Sequence, residues 1–398
     1  MRKKRTEIAN PDYCNTFHIT MRCIRKGYLL GDDLREKHRK RGKHGKQAKL
    51  GKRINGIALK RQQIVIDRIR ALAAAFAVDV IRVSIMGNHL HLELRNRPDL
   101  VKLMSDEEVA RRYLMIYPGY CQATSDARGT DPDMPTEEDV QKLAEDKKKI
   151  AEYRRVLSSI SRFMQSLNFY VAKYFNLVDE KCGAFWESRY KLKLLLDDLS
   201  ILLCAFYIDL NPIRANLHLT IETSEYTSAY YQIRAANLLR VDPEMDLSKL
   251  PNAFLTPVTI SPNEQDRLKS SVTTRASDFG FTHMTSEEYL VALDLMGRIL
   301  SNKHKGAIPD SVPPIFQRLN LNWDSVAKLV QSYEELFGFF VGTKESLDAK
   351  AKELKCGTLR CSAISKGRLP GAKPRSQNAD SNSIDLGVAR FANIGSTR

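Results

Sequence analysis

The stretch "DVIRVSIMGNHLHLELR", Asp79 to Arg95, alternates apolar and polar residues and therefore predicts β-strand. Successive side chains of a strand point to opposite faces, so the three leucines in its second half share one face. The polar face of the same half carries His89, His91 and Glu93. The leucine face can be buried against a core while the histidines face a site.

The apolar positions change parity within this stretch. Ile81, Val83 and Ile85 are the apolar positions of its first half, whereas the leucines of the second half fall on even numbers. A bulge or kink near 86–88 would reconcile the halves, and bulges often re-aim side chains beside functional sites. His-x-His spacing by itself leaves two alternatives, a paired metal site or two ordinary strand histidines.

Length and composition exclude several classes of protein. The 398 residues, of which 43% are hydrophobic, are enough for two or three domains. No apolar run approaches the ~20 residues of a membrane span, and the charged start is not followed by a secretory signal. The seven cysteines are odd in number, scattered and without C-x-x-C, which argues against a disulfide framework or a zinc ribbon. We therefore expect a cytoplasmic protein with no membrane contact.

The charge balance favours a polyanionic partner. The chain has 63 Lys+Arg against 47 Asp+Glu, a formal net charge of +16. Much of the excess lies in "REKHRKRGKHGKQAKLGKR", Arg35 to Arg53. A solvated loop is one interpretation, but so one-sided a charge favours a loop that binds phosphates.

Hydrophobic periodicity predicts a mixed α+β chain. An opening strand at 13–24 and a helix at 56–78 precede the alternating stretch, and helices follow at 158–176 and 197–215. We expect a first domain over 10–220, with the basic loop 35–53 and a polar, helical insertion at about 99–157. A linker over 221–265, a small helical C-terminal domain over 266–345 and a disordered tail over 366–398 should follow.

A second pair of residues is spaced for chemistry. Tyr207 and Asn211 lie four residues apart on one predicted helix and therefore share a face. A phenol can attack phosphorus and conserve the bond as a phosphotyrosine, and an amide oxygen is a hard ligand suited to magnesium or manganese. The alternative is that Tyr207 is a core residue and that "NPIRA" only ends a helix.

Four segments resemble a known family. "MGNHLHLELR" resembles the histidine–hydrophobic–histidine (HUH) strand of single-tyrosine transposases, and "FYIDLNPIRANL" resembles the signature of the REP-associated tyrosine transposase group. "YFNLVDEKCGAFWESRYK" and "FHITMRCIRKGYLL" resemble two further stretches of that group. The matches occur in order over 13–217. The chain departs from compact members at Gly87, where many have proline, and in its greater length.

The resemblance implies roles for individual residues. His89 and His91 match two metal ligands, Tyr207 matches the nucleophile, and Asn211 matches a third ligand for Mg²⁺ or Mn²⁺. The implied fold is a ferredoxin-like or RRM-like antiparallel sheet with helices on one face. The implied activity is DNA transposition, in which single-stranded DNA, often hairpin-forming, is cleaved and rejoined through a 5′-phosphotyrosine. Family members include monomers and homodimers.

Other residues are candidates for supporting roles. We expect phosphate contacts from Arg189, Lys191 and Arg214, and base stacking from Phe185 and Trp186, although the aromatic pair could instead belong to the core. Glu93 could assist the metal. The competing nucleophiles by composition are Tyr170, Tyr174 and Tyr190.

Two alternatives to the transposase remain open at this point. A domesticated relative could bind DNA hairpins or repeats without cutting them. A metallohydrolase could use His-x-His on small substrates, but it needs further His or Asp ligands and leaves the basic charge unexplained.

Overall fold

The computed structural model describes residues 8–31, 53–54, 57–58, 60–117, 135–268, 270–301, 340–353 and 386–389. The basic loop expected at 35–53 lies outside these ranges except for its last residue. None of the helices in the described ranges is long and apolar enough to span a bilayer.

A mixed sheet forms the centre of the molecule. Its strands are β1 (Asn15–Arg22), β4 (Val78–Ile85), β5 (His89–Asn96), β6 (Lys191–Leu195), β7 (Phe340–Thr343) and β8 (Leu386–Ala389). Their order is β4–β5–β1–β6–β7–β8, and the pairs β4–β5, β5–β1 and β1–β6 are antiparallel. β7 pairs with β6 in parallel. The two-residue strands β2 (Arg53–Ile54) and β3 (Ile57–Ala58) pair separately.

The alternating stretch is two strands, not the single strand that we expected. β4 and β5 form a hairpin in which Ile85 is opposite Leu90, and the Met86 N–H donates to the His89 carbonyl at 2.8 Å. The parity change therefore coincides with the turn. The bulge lies earlier, between Val80 and Arg82.

Helices surround the sheet. They are α1 (Arg61–Ala75), α2 (Pro98–Leu103), α3 (Asp106–Ile116), α4 (Glu137–Ala144), α5 (Lys147–Leu157), α6 (Ile160–Val178), α7 (Asp198–Asp209), α8 (Asn211–Arg214), α9 (Ser228–Val241), α10 (Glu264–Leu268), α11 (Ser286–Ser301) and α12 (Lys344–Glu353). The helix expected at 197–215 is divided into two, α7 and α8. Short 3-10 turns occur at Ile24–Lys26 and Leu247–Lys249.

Helices cover both faces of the sheet, whereas we expected them on one. The odd-numbered residues of β1, such as Ile19, are buried in one core with α1 and α6. The even-numbered His18 faces the opposite side, where its ring meets Tyr207 of α7. The second face bears polar side chains, and the mostly buried helix α7 shields them from water.

The expected insertion is part of the main core. Helices α2 to α5 pack on one another, and their apolar residues, among them Val109, Ile150 and Leu157, belong to the same buried cluster as α1 and α6. Ser105 and Thr136 accept hydrogen bonds from the first turns of α3 and α4 and so fix where these helices begin. Residues 118–134 lie outside the described ranges.

The segment expected to be a linker is folded against the sheet. α9 lies within it, and the Ser228 hydroxyl accepts from the Val83 N–H at 2.7 Å. Farther on, α11 packs on α7 in a second buried cluster that includes Phe206 and Leu293. The C-terminal region is therefore continuous with the first domain in the described residues. Within the expected disordered tail, β8 pairs with β7.

A buried polar network joins α7 to the sheet and to α11. The side chains of Arg82 and Asp209 form an ion pair at 3.2 Å, and both are fully buried. The Tyr289 hydroxyl donates to Asp209 at 2.9 Å, and the Ala229 N–H donates to the other oxygen at 3.1 Å. The guanidinium also lies 4.2 Å from the centroid of the Phe281 ring. Asp209 is thus held from β4, α9 and α11 at once.

Replacing Arg82 by Met should lower the free energy of unfolding by about 3–5 kcal/mol, because it leaves Asp209 buried without its cation. Tyr289→Phe should cost less, about 1–3 kcal/mol, since one donor is lost. Urea unfolding measures both. The matched control is Lys249→Met, which breaks an exposed pair with Asp246 and should have no measurable effect. Equal effects for Arg82→Met and Lys249→Met would contradict the stabilising role.

Candidate functional site

The register of β1 and β5 gathers polar side chains on the second face of the sheet. His18 is opposite Glu93, Thr20 is opposite His91, and Arg22 is opposite His89. β6 adds Lys191 and Lys193 beside Thr20 and His18. These residues lie on one face because side chains alternate along each strand, so residues that are opposite each other point to the same face of the sheet.

Two histidines form the centre of this face. His18 Nε2 lies 3.0 Å from His91 Nδ1, and the two rings are stacked with centroids 5.2 Å apart. The Thr20 hydroxyl lies 3.3 Å from the same His91 nitrogen. Since His91 Nδ1 is engaged in this way, its Nε2 is the nitrogen left to bind a ligand.

Helix α7 brings the tyrosine onto the histidines. The helix begins at a capping box in which Asp197 and Ser200 satisfy each other's backbone N–H groups. The Tyr207 ring meets the His91 and His18 rings edge-on, with centroids 5.3 and 5.6 Å away. Its side chain is buried, with 4% of it exposed.

Asn211 lies at the start of α8, directly after α7, and contacts the other histidine. Its side chain hydrogen-bonds His89, whose ring centroid is 5.1 Å from that of His91. His89 Nδ1 is also 2.6 Å from Asn88 Oδ1, which fixes the orientation of the ring. Arg214, one turn after Asn211, places its guanidinium 4.6 Å from the Tyr207 ring centroid.

An open pocket of about 270 Å³ leads to these groups. Its lining residues are Thr20, Arg22, His89, His91, Glu187, Ser188, Arg189, Lys191 and Tyr207. The residues expected as nucleophile, metal ligands and phosphate contacts are therefore in or beside one pocket: the two histidines, the tyrosine, Arg189 and Lys191 line it, and Asn211 and Arg214 contact lining residues. The lining contains three cationic side chains, those of Arg22, Arg189 and Lys191, and one carboxylate, that of Glu187.

The histidines are held in the neutral form. Burial lowers the pKa of His89 to about 4, with the nearby charge of Arg22 acting in the same direction. Burial also lowers the pKa of His91 and His18 well below the usual range, and Lys193 contributes to both shifts. Neutral imidazole is the form that binds metal ions, so no proton must leave before a cation enters at neutral pH.

The donor set suits a divalent cation. An amide oxygen suits Mn²⁺ or Mg²⁺, and neutral imidazoles bind transition-metal cations. Asn211 hydrogen-bonds His89, and the His89 and His91 rings lie together at the pocket. In the described part of the chain, no group of three or more His, Cys, Asp and Glu side chains is arranged to hold a metal. Any cation here would therefore rely on the amide and on ligands from a substrate or water.

His18 was not among the residues expected at the site. The signal was present in the sequence, because His18 and Thr20 are polar residues at alternate positions of the apolar stretch "FHITM". Without the strand register, nothing linked that alternation to the histidines of β5. Thr20 and Arg22 were missed for the same reason.

Other expected contributors do not line the pocket. Glu93 is fully buried beneath α7 and does not line the pocket. Tyr190 faces α6, where its hydroxyl lies 3.2 Å from that of Ser161. Phe185 is a buried core residue, whereas Trp186 is only partly buried. Tyr170 and Tyr174 stack on each other along α6, on the far side of the sheet.

Comparison with known protein families, with curated proteins and with solved structures returns no match. The functional interpretation therefore rests on the residues around the pocket.

Glu93→Gln should stabilise the protein increasingly as the pH rises from 5 to 8. Burial, reinforced by Asp209 and opposed by Arg82, raises the pKa of Glu93 well above its usual range. The folded state then retains a proton that the unfolded chain has lost, so wild-type stability falls as pH rises, and glutamine removes this term. Urea unfolding at both pH values measures the difference between the two proteins.

The control for this experiment is Glu244→Gln at an exposed position, which should leave stability unchanged at both pH values. A difference between Glu93→Gln and wild type that does not change with pH would contradict the assignment.

Proposed function

We propose that this protein is a transposase of the HUH single-tyrosine type, which cleaves and rejoins single-stranded DNA with Tyr207 as nucleophile. The observation that carries the proposal is the meeting of Tyr207 and Asn211 with His89 and His91 at one basic pocket. These two pairs are more than a hundred residues apart in the chain. Their resemblance to the family's motifs is independent of that geometry.

We further propose that β1, β4, β5 and β6 form a ferredoxin-like or RRM-like core. Their order, β4–β5–β1–β6 with antiparallel neighbours, supports this plan. In such a fold two βαβ units interleave, so that the first and third strands lie in the middle of the sheet. Here those strands are β1, which carries His18, and β5, which carries His89 and His91.

The chemistry assigned to Tyr207 is a phosphoryl transfer. The phenol oxygen forms a bond to the scissile phosphorus and loses its proton to water, while the bond to the 3′-oxygen breaks and that oxygen takes up a proton. The products are a 5′-phosphotyrosine and a free 3′-hydroxyl. Attack by another strand's 3′-hydroxyl reverses the sequence and joins new ends, so no ATP is consumed.

The surrounding residues bind and orient the substrate. A divalent ion on His89, His91 and Asn211 would polarise the scissile phosphate as a Lewis acid. Arg189 and Lys191 line the pocket on the β6 side, where they are exposed and suited to contact phosphates on either side of the cleavage point. Arg214 covers the Tyr207 ring and brings a positive charge to where negative charge develops during attack.

Tyr207→Phe should abolish covalent attachment, because the attacking oxygen is removed. The assay incubates the full chain with Mn²⁺ and 3′-labelled single-stranded oligonucleotides that contain hairpins, and it looks for a labelled band on a denaturing gel. Tyr190→Phe is the matched control, since that hydroxyl faces Ser161 of α6, and it should form the adduct normally.

Two outcomes would end this proposal. An adduct that persists in Tyr207→Phe would exclude Tyr207 as the nucleophile. A tight complex with hairpin DNA and no cleavage in any divalent metal would instead favour a domesticated protein that binds hairpins or repeats.

Metal binding can be tested without DNA. His89→Ala, His91→Ala and Asn211→Ala should each weaken Mn²⁺ binding, measured by electron paramagnetic resonance of the free ion, by at least about tenfold. His283→Ala replaces an exposed histidine that does not line the pocket and should leave the affinity unchanged. Unchanged affinity in Asn211→Ala alone would restrict the ligand set to the two histidines.

A further inference from the structure

The outward face of α6 has an unusual composition for a protein surface. This helix contains no Asp or Glu, and its exposed positions include Arg162, Gln165 and Lys173. Phe169 is 68% exposed. Large aromatic side chains on an acid-free, basic helix face expose apolar area that water does not favour, which is typical of a binding surface.

Cations accompany the aromatic rings on this face. Lys173 Nζ lies 6.0 Å from the Phe169 centroid, and Arg68 of α1 places its guanidinium carbon 4.8 Å from the Tyr170 centroid. The Tyr170 and Tyr174 rings are stacked, with centroids 6.0 Å apart. Flat rings with positive charges beside them match a nucleotide strand, in which each base is linked to a phosphate.

This surface begins at the rim of the pocket. The indole N–H of Trp186 donates to the Asn168 carbonyl, next to Phe169, at 3.1 Å. The three residues after Trp186 all line the pocket. Asn168 also contacts β1. Its side-chain amide nitrogen lies 3.8 Å from the sulfur of Met21, which precedes the pocket residue Arg22.

We propose that Trp186, Phe169, Tyr170, Lys173 and Arg68, here named the α6 stripe, bind single-stranded DNA that extends from the cleavage pocket. The assignment of DNA as the ligand rests on the proposed function. A single strand fits better than a duplex, because bases must be unpaired to stack on exposed rings. A second copy of this chain fits less well, because two stripes of like charge would repel each other.

The binding assay uses the full chain and a 3′-fluorescein oligothymidylate of about 20 nucleotides, in EDTA so that no cleavage occurs. Phe169→Ala combined with Tyr170→Ala should weaken binding at least about tenfold in fluorescence anisotropy. Phe169→Trp should bind as wild type, because the indole still stacks. Lys173→Gln should reduce the slope of log affinity against log salt by about one.

The matched control is Tyr13→Ala. Tyr13 is 68% exposed, as Phe169 is, but it precedes β1 and does not belong to α6. It should bind the oligonucleotide as wild type does. Circular dichroism and analytical ultracentrifugation of each variant report folding and self-association.

Three results would overturn the proposal. In the first, the double variant binds the oligonucleotide as tightly as wild type. In the second, Tyr13→Ala weakens binding as much as the double variant. In the third, the stripe variants change self-association and leave DNA affinity intact, which would assign the surface to a second copy.

Failure of this proposal and failure of the proposed function are distinguishable. If the double variant loses affinity but the wild type never forms an adduct, the stripe stands and the cleavage assignment falls. If the adduct forms and the double variant binds and cleaves normally, the cleavage assignment stands and the proposal for the α6 stripe falls.

Discussion

The fully buried ion pair between Arg82 and Asp209 is the interaction on which the site depends. Asp209 lies between Tyr207 and Asn211 in sequence, so whatever fixes Asp209 also fixes the residues on either side. A charge without water is tolerated only where other groups compensate it, and here Arg82, Tyr289 and the Ala229 N–H do so. Helix α7 therefore has one favourable alignment on the sheet.

That alignment produces the unusual electrostatics of the pocket. Sheet and helix together bury the three histidines, and burial keeps them neutral among several cations. Neutral nitrogens and an amide oxygen offer ligands without adding negative charge. Arg189, Lys191 and Arg214 keep the surroundings positive, so the site remains attractive to a phosphate whether or not a cation is bound.

The C-terminal region contributes to the same contact between α7 and the sheet. Tyr289 of α11 and the start of α9 both hold Asp209, although the composition of 221–265 suggested a linker. Proline and polar residues there reflect turns that run over the surface between packed elements. Composition reports how often a segment turns, but it does not reveal whether the apolar residues between the turns find a partner.

Part of the fold could be read from local patterns. The apolar periodicity located α1, α6 and α7, and alternation gave the polar face of β5. The helix predicted at 56–78 is shorter, because Ile57–Ala58 and Val78 belong to strands, and the helix predicted at 197–215 is divided into α7 and α8. The hairpin was missed because the Asp79–Arg95 run was interpreted as a single bent strand, although Gly87-Asn88 is a dipeptide that favours a hairpin turn. Helices on one face were an implication of the resemblance, and periodicity could not correct it because it identifies the buried side of an element and not the element that buries it.

By itself the sequence determined which residue types were available for chemistry: two histidines one residue apart, and a tyrosine and an asparagine one helical turn apart. These spacings are local and follow from the geometry of a strand and a helix. Only the tertiary structure decided that the two pairs meet and that His18 joins them. It also decided that Glu93 and Tyr190 lie elsewhere. Such contacts depend on strand register and on the packing of α7, and both are set by interactions between residues far apart in the chain.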